Sequence, residues 1–341
     1  MSPSLRLHGA ACAACAACAS LAPNACVVQH LGASHLSFDS TIGAAQMAVR
    51  FRESLNLEAD ELCADVWPDD SSTPVPPDAA LLTLGHQQDA HGAMPCPASA
   101  SVEQHPSPRL AAVALVVDSV RRCVLLTRRP RAMRTFPGAW VLPGGAVDAA
   151  DASTAAAAVR ELAEETGLTP VAEAAEAEAA EGLAPPLCLW ESCYPPSAAL
   201  WRERQAAGGR CSHFLIAYHR VEVDSRSPLR LEPEECDCGV WVPLDDLANL
   251  AADLAALDDD LERSRADLAD PPDQAVDSLS GGGGGGTREY PRAAGSPAGG
   301  PVAAALLAGV YPNARGEGIG RAHLFALRQL AGHGDGKVTA K

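Results

Sequence analysis

The spacing of apolar residues in the middle of the chain predicts alternating strands and helices. Two stretches rich in β-branched and aliphatic residues, LAAVALVVDSV at 110–120 and RCVLLTRR at 122–129, are typical of two strands joined by a short turn. AWVLPGG at 139–145 predicts a third short strand, which ends at a Pro-Gly-Gly break. The same composition predicts further strands over 186–192, 211–223 and the first half of 238–247.

A helix is predicted between the third and fourth of these strands, in ASTAAAAVRELAEETG. Ser153 or Thr154 can cap its start, and Gly167 can supply the left-handed conformation that ends it. Helical spacing predicts an inward stripe made of Ala155, Ala158, Val159 and Leu162. A last helix, RAHLFALRQL at 321–330, is predicted to pack back onto the domain. Strands interleaved with helices indicate an α/β layered domain over roughly 109–260.

Outside this domain, composition is more informative than periodicity. Residues 1–108 are predicted as an N-terminal extension, with a small helix or strand unit over 40–66 and a Pro-rich linker over 68–108. Residues 261–315, which contain a run of glycines, are predicted as a disordered Gly/Pro-rich tether. The tether leads to a C-terminal helix and tail over 316–341.

The charge of the whole chain restricts its partners. A formal net charge of −17 over 341 residues disfavours extended binding to nucleic acid or to anionic membrane surfaces. The sequence contains no run of about 18 strongly apolar residues, so no membrane-spanning helix is predicted. Twelve cysteines scattered through a long chain indicate reduced thiols and an intracellular, cytoplasmic location. Residues 1–38 contain no acidic side chain, which leaves organelle targeting by the N-terminus as an alternative.

One short stretch of the predicted helix, RELAEETGL at 160–168, concentrates negative charge on one side. Glu161, Glu164 and Glu165 follow the i, i+3, i+4 spacing, which places their carboxylates within an arc of roughly 100°. Like charges this close repel each other by a few tenths of a kcal/mol per pair. The repulsion is relieved if the carboxylates bind divalent cations, and Mg²⁺ prefers such hard oxygen ligands. The alternative is a solvated acidic face that binds nothing.

The stretch 140–168 resembles the Nudix box, written G-x5-E-x7-R-E-U-x-E-E-x-G-U, where U is a bulky aliphatic residue. Gly145 stands at the opening glycine. The second half of the pattern is matched in full, by Arg160, Glu161, Leu162, Glu164, Glu165, Gly167 and Leu168. The first half departs from it, since Asp151 stands at the first glutamate and eight residues instead of seven separate it from Arg160.

This resemblance implies a Nudix-type α/β/α sandwich with a mixed sheet, and a Mg²⁺-dependent pyrophosphohydrolase in which Mn²⁺ can replace Mg²⁺. The implied substrate is a small nucleoside diphosphate linked to another moiety, X, whose diphosphate bond is cleaved by water. Glu161 and Glu165 are then the first metal ligands, and Glu164 is either a third ligand or the catalytic base. The Gly145 carbonyl assists as a ligand, and Arg160 orients the glutamates.

Two alternatives stay open within the same resemblance. A coenzyme A or capped-RNA diphosphatase would use the same box and the same reaction, so capped RNA remains a candidate partner although an extended nucleic-acid footprint is not expected. A non-catalytic Nudix module would bind a nucleotide as a sensor, but a sensor has less use for clustered, mutually repelling glutamates. The sequence predicts neither the identity of X nor the oligomeric state.

Two segments outside the box are predicted to contact substrate. Arg128, Arg129 and Arg131 precede the Pro-Gly-Gly strand, where they can bind substrate phosphates or simply form a solvated turn. LWESCYPP at 189–196, together with LLTRR, WVLPGG and FALRQL, is similar to the animal subfamily called nucleoside diphosphate-linked moiety X motif 17. Within that segment, Glu191 is predicted to shape the substrate pocket.

One more candidate catalytic residue follows the box at a distance. Glu235 stands six residues before Trp241, and it resembles a further glutamate that Nudix domains often carry before a tryptophan-containing strand. It is a candidate extra metal ligand or general base. Glu232 and Glu234 are neighbours that could take the same role, and a plain surface carboxylate is the alternative for all three.

Overall fold

The computed structural model describes the central domain and parts of both flanking regions. The described residues are 4–7, 27, 31, 37–39, 44–56, 61–69, 74–87, 108–171, 185–194, 203–204, 206–209, 211–247, 289–296, 301–303, 307, 311–312 and 316–332.

Within this part of the chain, five strands precede the predicted domain: β1 Ser4–Leu7, β2 Ser37–Asp39, β3 Ala44–Asn56, β4 Glu61–Pro68 and β5 Ala80–Gln87. The domain itself contributes β6 Arg109–Asp118, β7 Cys123–Arg128, β8 Trp140–Val141, β9 Gly144–Ala146, helix α1 Thr154–Thr166, β10 Cys188–Tyr194, β11 Ser212–Glu222 and β12 Cys238–Pro243. A 3-10 turn at Leu244–Asp246, strands β13 Glu289–Tyr290 and β14 Val302–Ala303, and helix α2 Arg321–Gly332 follow.

A single mixed sheet joins twelve of the described strands. Its spatial order is β1-β4-β3-β5-β10-β11-β6-β7-β12, with β2 beside β3, β8 beside β7 and β9 beside β6. The pairs β1–β4, β5–β10 and β6–β11 are parallel, and the other pairs are antiparallel. The strands before residue 108 therefore extend the sheet of the predicted domain through the β5–β10 contact.

The two helices lie on opposite faces of this sheet. Strand β6 alternates its side chains between the faces, as the period of two in a strand requires. Leu110, Ala112 and Ala114 pack in the cluster that contains Ala158 and Leu162 of α1. The residues between them, such as Val113 and Leu115, pack in the cluster that contains Phe325 of α2. The predicted α/β/α sandwich with a mixed sheet is confirmed.

Helix α1 begins and ends where its capping residues predict. The Ser153 hydroxyl accepts a hydrogen bond from the Ala156 N–H at 2.9 Å, and Gly167 adopts the left-handed conformation with φ of 71°. The inward stripe differs from the predicted one, because Ala157 is fully buried while Ala155 and Val159 are only half-buried. The buried face is thus rotated toward Glu165, whose side chain it carries into the protein.

Part of the predicted linker over 68–108 is a strand instead. Within residues 80–87, Leu82 and Leu84 stand two positions apart, and both are buried on the same face of the sheet as α1. Strand β5 pairs with β3 on one side and with β10 on the other, so its backbone hydrogen bonds are satisfied on both edges. Composition did not predict this strand, because Pro-rich stretches flank it on both sides.

Part of the predicted disordered tether over 261–315 is also ordered. Strands β13 and β14 pair with each other, and the side chains of Tyr290 and Val302 are buried in the cluster around α2. These apolar residues provide the burial that a glycine-rich composition alone does not predict. Residues 261–288 lie outside the described residues. Helix α2 covers the predicted 321–330, and among the described helices none combines the length and apolar character needed to cross a membrane.

Candidate active site

The Pro-Gly-Gly break brings the backbone of β9 directly against helix α1. Gly145 pairs with Ala112 of β6, and the Glu161 carboxylate packs onto it from above. A β-carbon at Gly145 would lie 2.6 Å from Oε1 of Glu161, closer than side-chain carbons approach such atoms. A β-carbon here would therefore displace the end of the Glu161 side chain. The Gly145 backbone and the Glu161 carboxylate are therefore neighbours, as the metal-ligand prediction requires.

Glu165 is the most enclosed of the three helix glutamates. Its side chain is 7% exposed, and its Oε1 accepts a hydrogen bond from the Gly144 N–H at 3.2 Å. The Cys236 thiol donates to Oε2 at 3.4 Å. Burial raises the pKa of Glu165 to about 7, against these two hydrogen bonds, and the charges of Glu235 and Glu161 raise it further. A buried carboxylate in this state gains strongly from a cation.

The three glutamates share one side of α1 but differ in exposure. The Glu161 side chain is 13% exposed and that of Glu164 is 58% exposed. Burial raises the pKa of Glu161, while Arg160 opposes the shift. The carboxylates therefore form a gradient from the protein interior to solvent, in the order Glu165, Glu161, Glu164.

Arg160 links these carboxylates to the loop that precedes the helix. Its guanidinium forms a bidentate pair with Asp151, with Nε–Oδ1 and Nη2–Oδ2 both at 3.0 Å. Its Nη1 donates to Oε1 of Glu161 at 3.0 Å and to Oε2 of Glu164 at 2.9 Å. The hydrogen bond to Asp151 is the main cause that raises the pKa of Arg160, so the guanidinium is a permanent cation. Asp151, which departs from the Nudix pattern, thus anchors the arginine.

Glu235 lies on a turn attached to the end of α1. The Glu232 N–H donates to the Glu165 carbonyl at 2.9 Å, and the N–H of Glu235 donates to the Glu232 carbonyl at 3.0 Å. Glu235 is exposed, and its charge raises the pKa of both Glu165 and Glu161. Its position on the side of the helix glutamates is compatible with the predicted role as ligand or base.

The arginine cluster divides into residues that serve the fold and one that faces the glutamates. Arg128 donates from Nε to Asp237 at 2.8 Å and from Nη1 to Glu317 at 3.4 Å, and Arg131 donates to the same Glu317 at 2.7 Å. Glu317 is 3% exposed and comes from the segment before α2. A phosphate would therefore have to compete with these acids for Arg128 and Arg131.

Arg129 is placed differently from its two neighbours. Its Nε and Nη2 donate to the carbonyl and the hydroxyl of Thr135, at 3.1 Å and 3.2 Å. Burial lowers the pKa of Arg129, and the charges of Glu165 and Glu235 act against this shift. Of the three predicted phosphate-binding arginines, Arg129 is the one on which the helix glutamate and Glu235 act electrostatically.

Glu191 is completely buried in the sheet. Its side chain has no exposed surface, so it cannot touch a substrate in this structure. Its Oε1 accepts a hydrogen bond from the Val27 N–H at 2.7 Å and lies 2.8 Å from Nε2 of His213. The pattern LWESC does not predict this burial. A strand whose acidic side chain is covered by other segments and a strand that lines a pocket can have the same sequence pattern.

Two features of the site were not predicted. Cys236 contacts Glu165 from a position 71 residues away in sequence. At the other end of α1, the Glu53 carboxylate of β3 accepts hydrogen bonds from the N–H and the hydroxyl of Thr154, and the same hydroxyl lies 2.7 Å from Nε2 of His219. Helix starts commonly recruit a carboxylate, but only the folded sheet reveals that it comes from the N-terminal strands.

Comparisons with known proteins agree with this geometry. The family model described as the NUDIX domain matches residues 107–263. This part of the chain resembles a Nudix domain. A curated relative, the m7GpppN-mRNA hydrolase NUDT17 of Danio rerio, is 31% identical over 144 residues, which are 39% of this chain and 41% of that protein. The predicted Nudix resemblance, with its likeness to the motif 17 subfamily, is confirmed, and the chain spans about two-fifths of the length of this relative.

Solved structures of Nudix proteins are also similar to this chain. The MutT NUDIX hydrolase of Burkholderia pseudomallei is 26% identical, covers 40% of this chain and 84% of its own, and has a TM-score of 0.28. The MutT protein of Methanosarcina mazei Go1 is 22% identical, covers 48% of this chain and 99% of its own, and has the same TM-score of 0.28.

Proposed function

We propose that this protein is a metal-dependent Nudix pyrophosphohydrolase that cleaves the diphosphate bond of a nucleoside diphosphate linked to another moiety, X. The observation that carries the proposal is the packing of Glu161 and Glu165 of α1 against Gly145 and Gly144. It brings two helix carboxylates against the backbone of two consecutive glycines in β9. Arg160 holds Glu161 and Glu164 in this arrangement.

The donor set of the site fits a hard divalent cation. Glu161, Glu164, Glu165 and the Gly145 carbonyl would hold it, and all of them offer oxygen, the ligand atom that Mg²⁺ and Mn²⁺ prefer. The ion would supply charge neutralisation for the phosphate oxygens and a lowered pKa for the attacking water. The raised pKa of the buried Glu165 supports the assignment, because a carboxylate that is costly to ionise alone is stabilised by a cation.

The remaining steps fall to side chains of this chain. Glu235, which is exposed on the turn beside the helix glutamates, is positioned to accept the proton of the attacking water, and the exposed Glu164 is the alternative base. Arg129 is the candidate for binding the phosphate oxygens, because a guanidinium can donate two parallel hydrogen bonds to them. Asp151 keeps Arg160 in place through its bidentate pair.

Capped RNA is a specific candidate for the substrate. The relative that is 31% identical over 144 residues is named an m7GpppN-mRNA hydrolase, and a cap is itself a nucleoside polyphosphate linked to another moiety. The net charge of −17 favours recognition of the cap over binding of a long RNA segment. Coenzyme A and nucleotide sugars remain alternatives of the same reaction class.

A substrate panel tests the function. The full chain is incubated with capped RNA, NADH, ADP-ribose, coenzyme A and nucleotide sugars, with Mg²⁺ or with EDTA, and products are identified by mass spectrometry. We expect release of a nucleoside monophosphate and a phosphorylated X with Mg²⁺, and loss of at least about a hundredfold in kcat for Glu161→Gln. Glu289→Gln, at an exposed acid of β13 on the α2 side of the sheet, is the matched control and should retain activity. Binding without turnover across the whole panel would favour a nucleotide sensor.

A further inference from the structure

A second group of potential metal ligands lies on three neighbouring strands, apart from the helix glutamates. Glu191 and Cys193 are on β10, His213 is on β11 and His86 is on β5. Glu191 is the register partner of His86, and Cys193 is the register partner of His213. Side chains an even number of positions apart on a strand lie on the same face of the sheet. Each of the four residues is an even number of positions from a residue of its own strand that is buried on the α1 face, so all four side chains lie on that face.

The ligand atoms of this group are close enough to share one ion. One atom each from Glu191, Cys193 and His213 lies within 4.8 Å of the others. His86 adds a fourth candidate, with its Nε2 3.9 Å from Oε2 of Glu191. That separation is too long for a hydrogen bond, and it is close to the roughly 3.3–3.8 Å between ligand atoms around a tetrahedral zinc ion with bonds of about 2.0–2.3 Å.

The burial of these side chains also supports binding of a metal ion. Glu191 and the His213 side chain are 0% exposed, and His86 is 3% exposed. Oε1 of Glu191 accepts from the Val27 N–H and lies 2.8 Å from Nε2 of His213, and Oε2 lies 3.9 Å from Nε2 of His86. A divalent ion shared with the two imidazoles and the thiolate would add positive charge beside this buried carboxylate.

We propose that Glu191, Cys193, His213 and His86 form a zinc-binding site, separate from the site on α1. The mixture of sulfur, nitrogen and oxygen donors suits Zn²⁺, whereas the all-oxygen set of the helix glutamates suits Mg²⁺. Cys193 binds as the thiolate and releases its proton to solvent. It is half-buried, whereas the other three side chains are buried.

The site has a structural consequence for the whole sheet. Strand β5 belongs to the strands before residue 108, and its contact with β10 is the place where these strands join the Nudix sheet. An ion held by His86 on β5 and by three ligands on β10 and β11 would fasten this junction. Removal of the ion should therefore lower the thermal stability of the full chain, whether or not the protein hydrolyses any nucleotide.

Metal content and a spectroscopic signature test the proposal together. The full chain is expressed with zinc in the medium, purified without chelator and analysed by mass spectrometry for metals. We expect about one zinc ion per chain, and a loss of most of it in Cys193→Ser and in His86→Gln. After replacement of zinc by Co²⁺, a thiolate-to-cobalt charge-transfer absorption should appear in the near ultraviolet, and it should be absent in Cys193→Ser.

Cys236 provides the decisive control, because it is the cysteine that contacts the helix glutamates. Cys236→Ser should keep both the zinc and the cobalt absorption. If instead the absorption is lost in Cys236→Ser and retained in Cys193→Ser, the ion sits at the α1 site and the proposal is wrong. Wild-type protein that holds no zinc, and that gives no thiolate absorption on titration with Co²⁺, would also overturn it, whatever the variants do.

Discussion

The substitution Glu165→Gln should stabilise the metal-free protein while it destroys activity. Burial raises the pKa of Glu165 from 4.5 to about 7, and this difference corresponds to about 3 kcal/mol of destabilisation of the ionised form. Glutamine has nearly the same shape without the charge, and its amide oxygen can still accept the hydrogen bond from the Gly144 N–H. At a pH of about 8, in EDTA, the free energy of unfolding should therefore rise by about 3 kcal/mol.

The pH dependence of this gain follows from the direction of the shift. The pKa of Glu165 is higher in the folded state than in the unfolded state, so ionisation of this carboxyl lowers the free energy of unfolding. At low pH the carboxyl is protonated in both states and this loss is absent. The advantage of Glu165→Gln should be complete above about pH 7 and should fade as the pH falls toward about 4.5. Saturating Mg²⁺ should stabilise the wild type more than the variant, because the variant lacks one of the carboxylate ligands.

Thermal and denaturant unfolding in EDTA, over a series of pH values, measure this effect. A gain of about 3 kcal/mol corresponds to a rise in Tm of roughly 6–12 °C for a domain of this size. Glu164→Gln is the matched control, because its carboxylate is 58% exposed and should change stability by less than about 1 kcal/mol. A Glu165→Gln variant that is less stable than the wild type at pH 8 in EDTA would refute the reasoning.

Three further substitutions test other parts of the site. Gly145→Ala places a β-carbon 2.6 Å from Oε1 of Glu161, so the Mg²⁺ concentration for half-maximal activity should rise at least about tenfold, and an unchanged requirement would exclude a metal role for this contact. Glu53→Ala removes the carboxylate that caps the start of α1 and should cost about 1 kcal/mol in urea unfolding; equal midpoints would contradict the capping role. Arg129→Ala should raise KM about tenfold with little change in kcat. Arg131→Ala should leave KM unchanged, because the Arg131 guanidinium pairs with a buried acid. Equal changes of KM in the two variants would show that Arg129 is not the specific phosphate-binding residue.

The local parts of the site could be predicted from the sequence. The ends of α1 follow from Ser153 and Gly167, because caps are decided by residues within one turn of the helix. The shared side of the glutamates follows from helical geometry alone. The match to the Nudix box added the contact with Gly145, whose neighbour Glu161 is 16 residues further along the chain.

The long-range partners could not be predicted, because they are set by strand pairing. Glu165 meets Cys236, and Arg128 meets Glu317, across separations of 71 and 189 residues. The burial of Glu191 could not be predicted for the same reason. A strand shows which residues share a face, but the neighbours that cover that face come from β5 and from Val27, in a region read as linker and extension.

The central claim is that the glutamates of α1 hold a divalent cation for diphosphate cleavage. The most direct measurement is Mg²⁺ binding by isothermal titration calorimetry, followed by product analysis on the same samples of wild-type protein and Glu161→Gln. We expect Mg²⁺ binding and the release of nucleoside monophosphate to be lost together in the variant. Mg²⁺ uptake that is unchanged in Glu161→Gln, or hydrolysis that proceeds equally in EDTA, would contradict it.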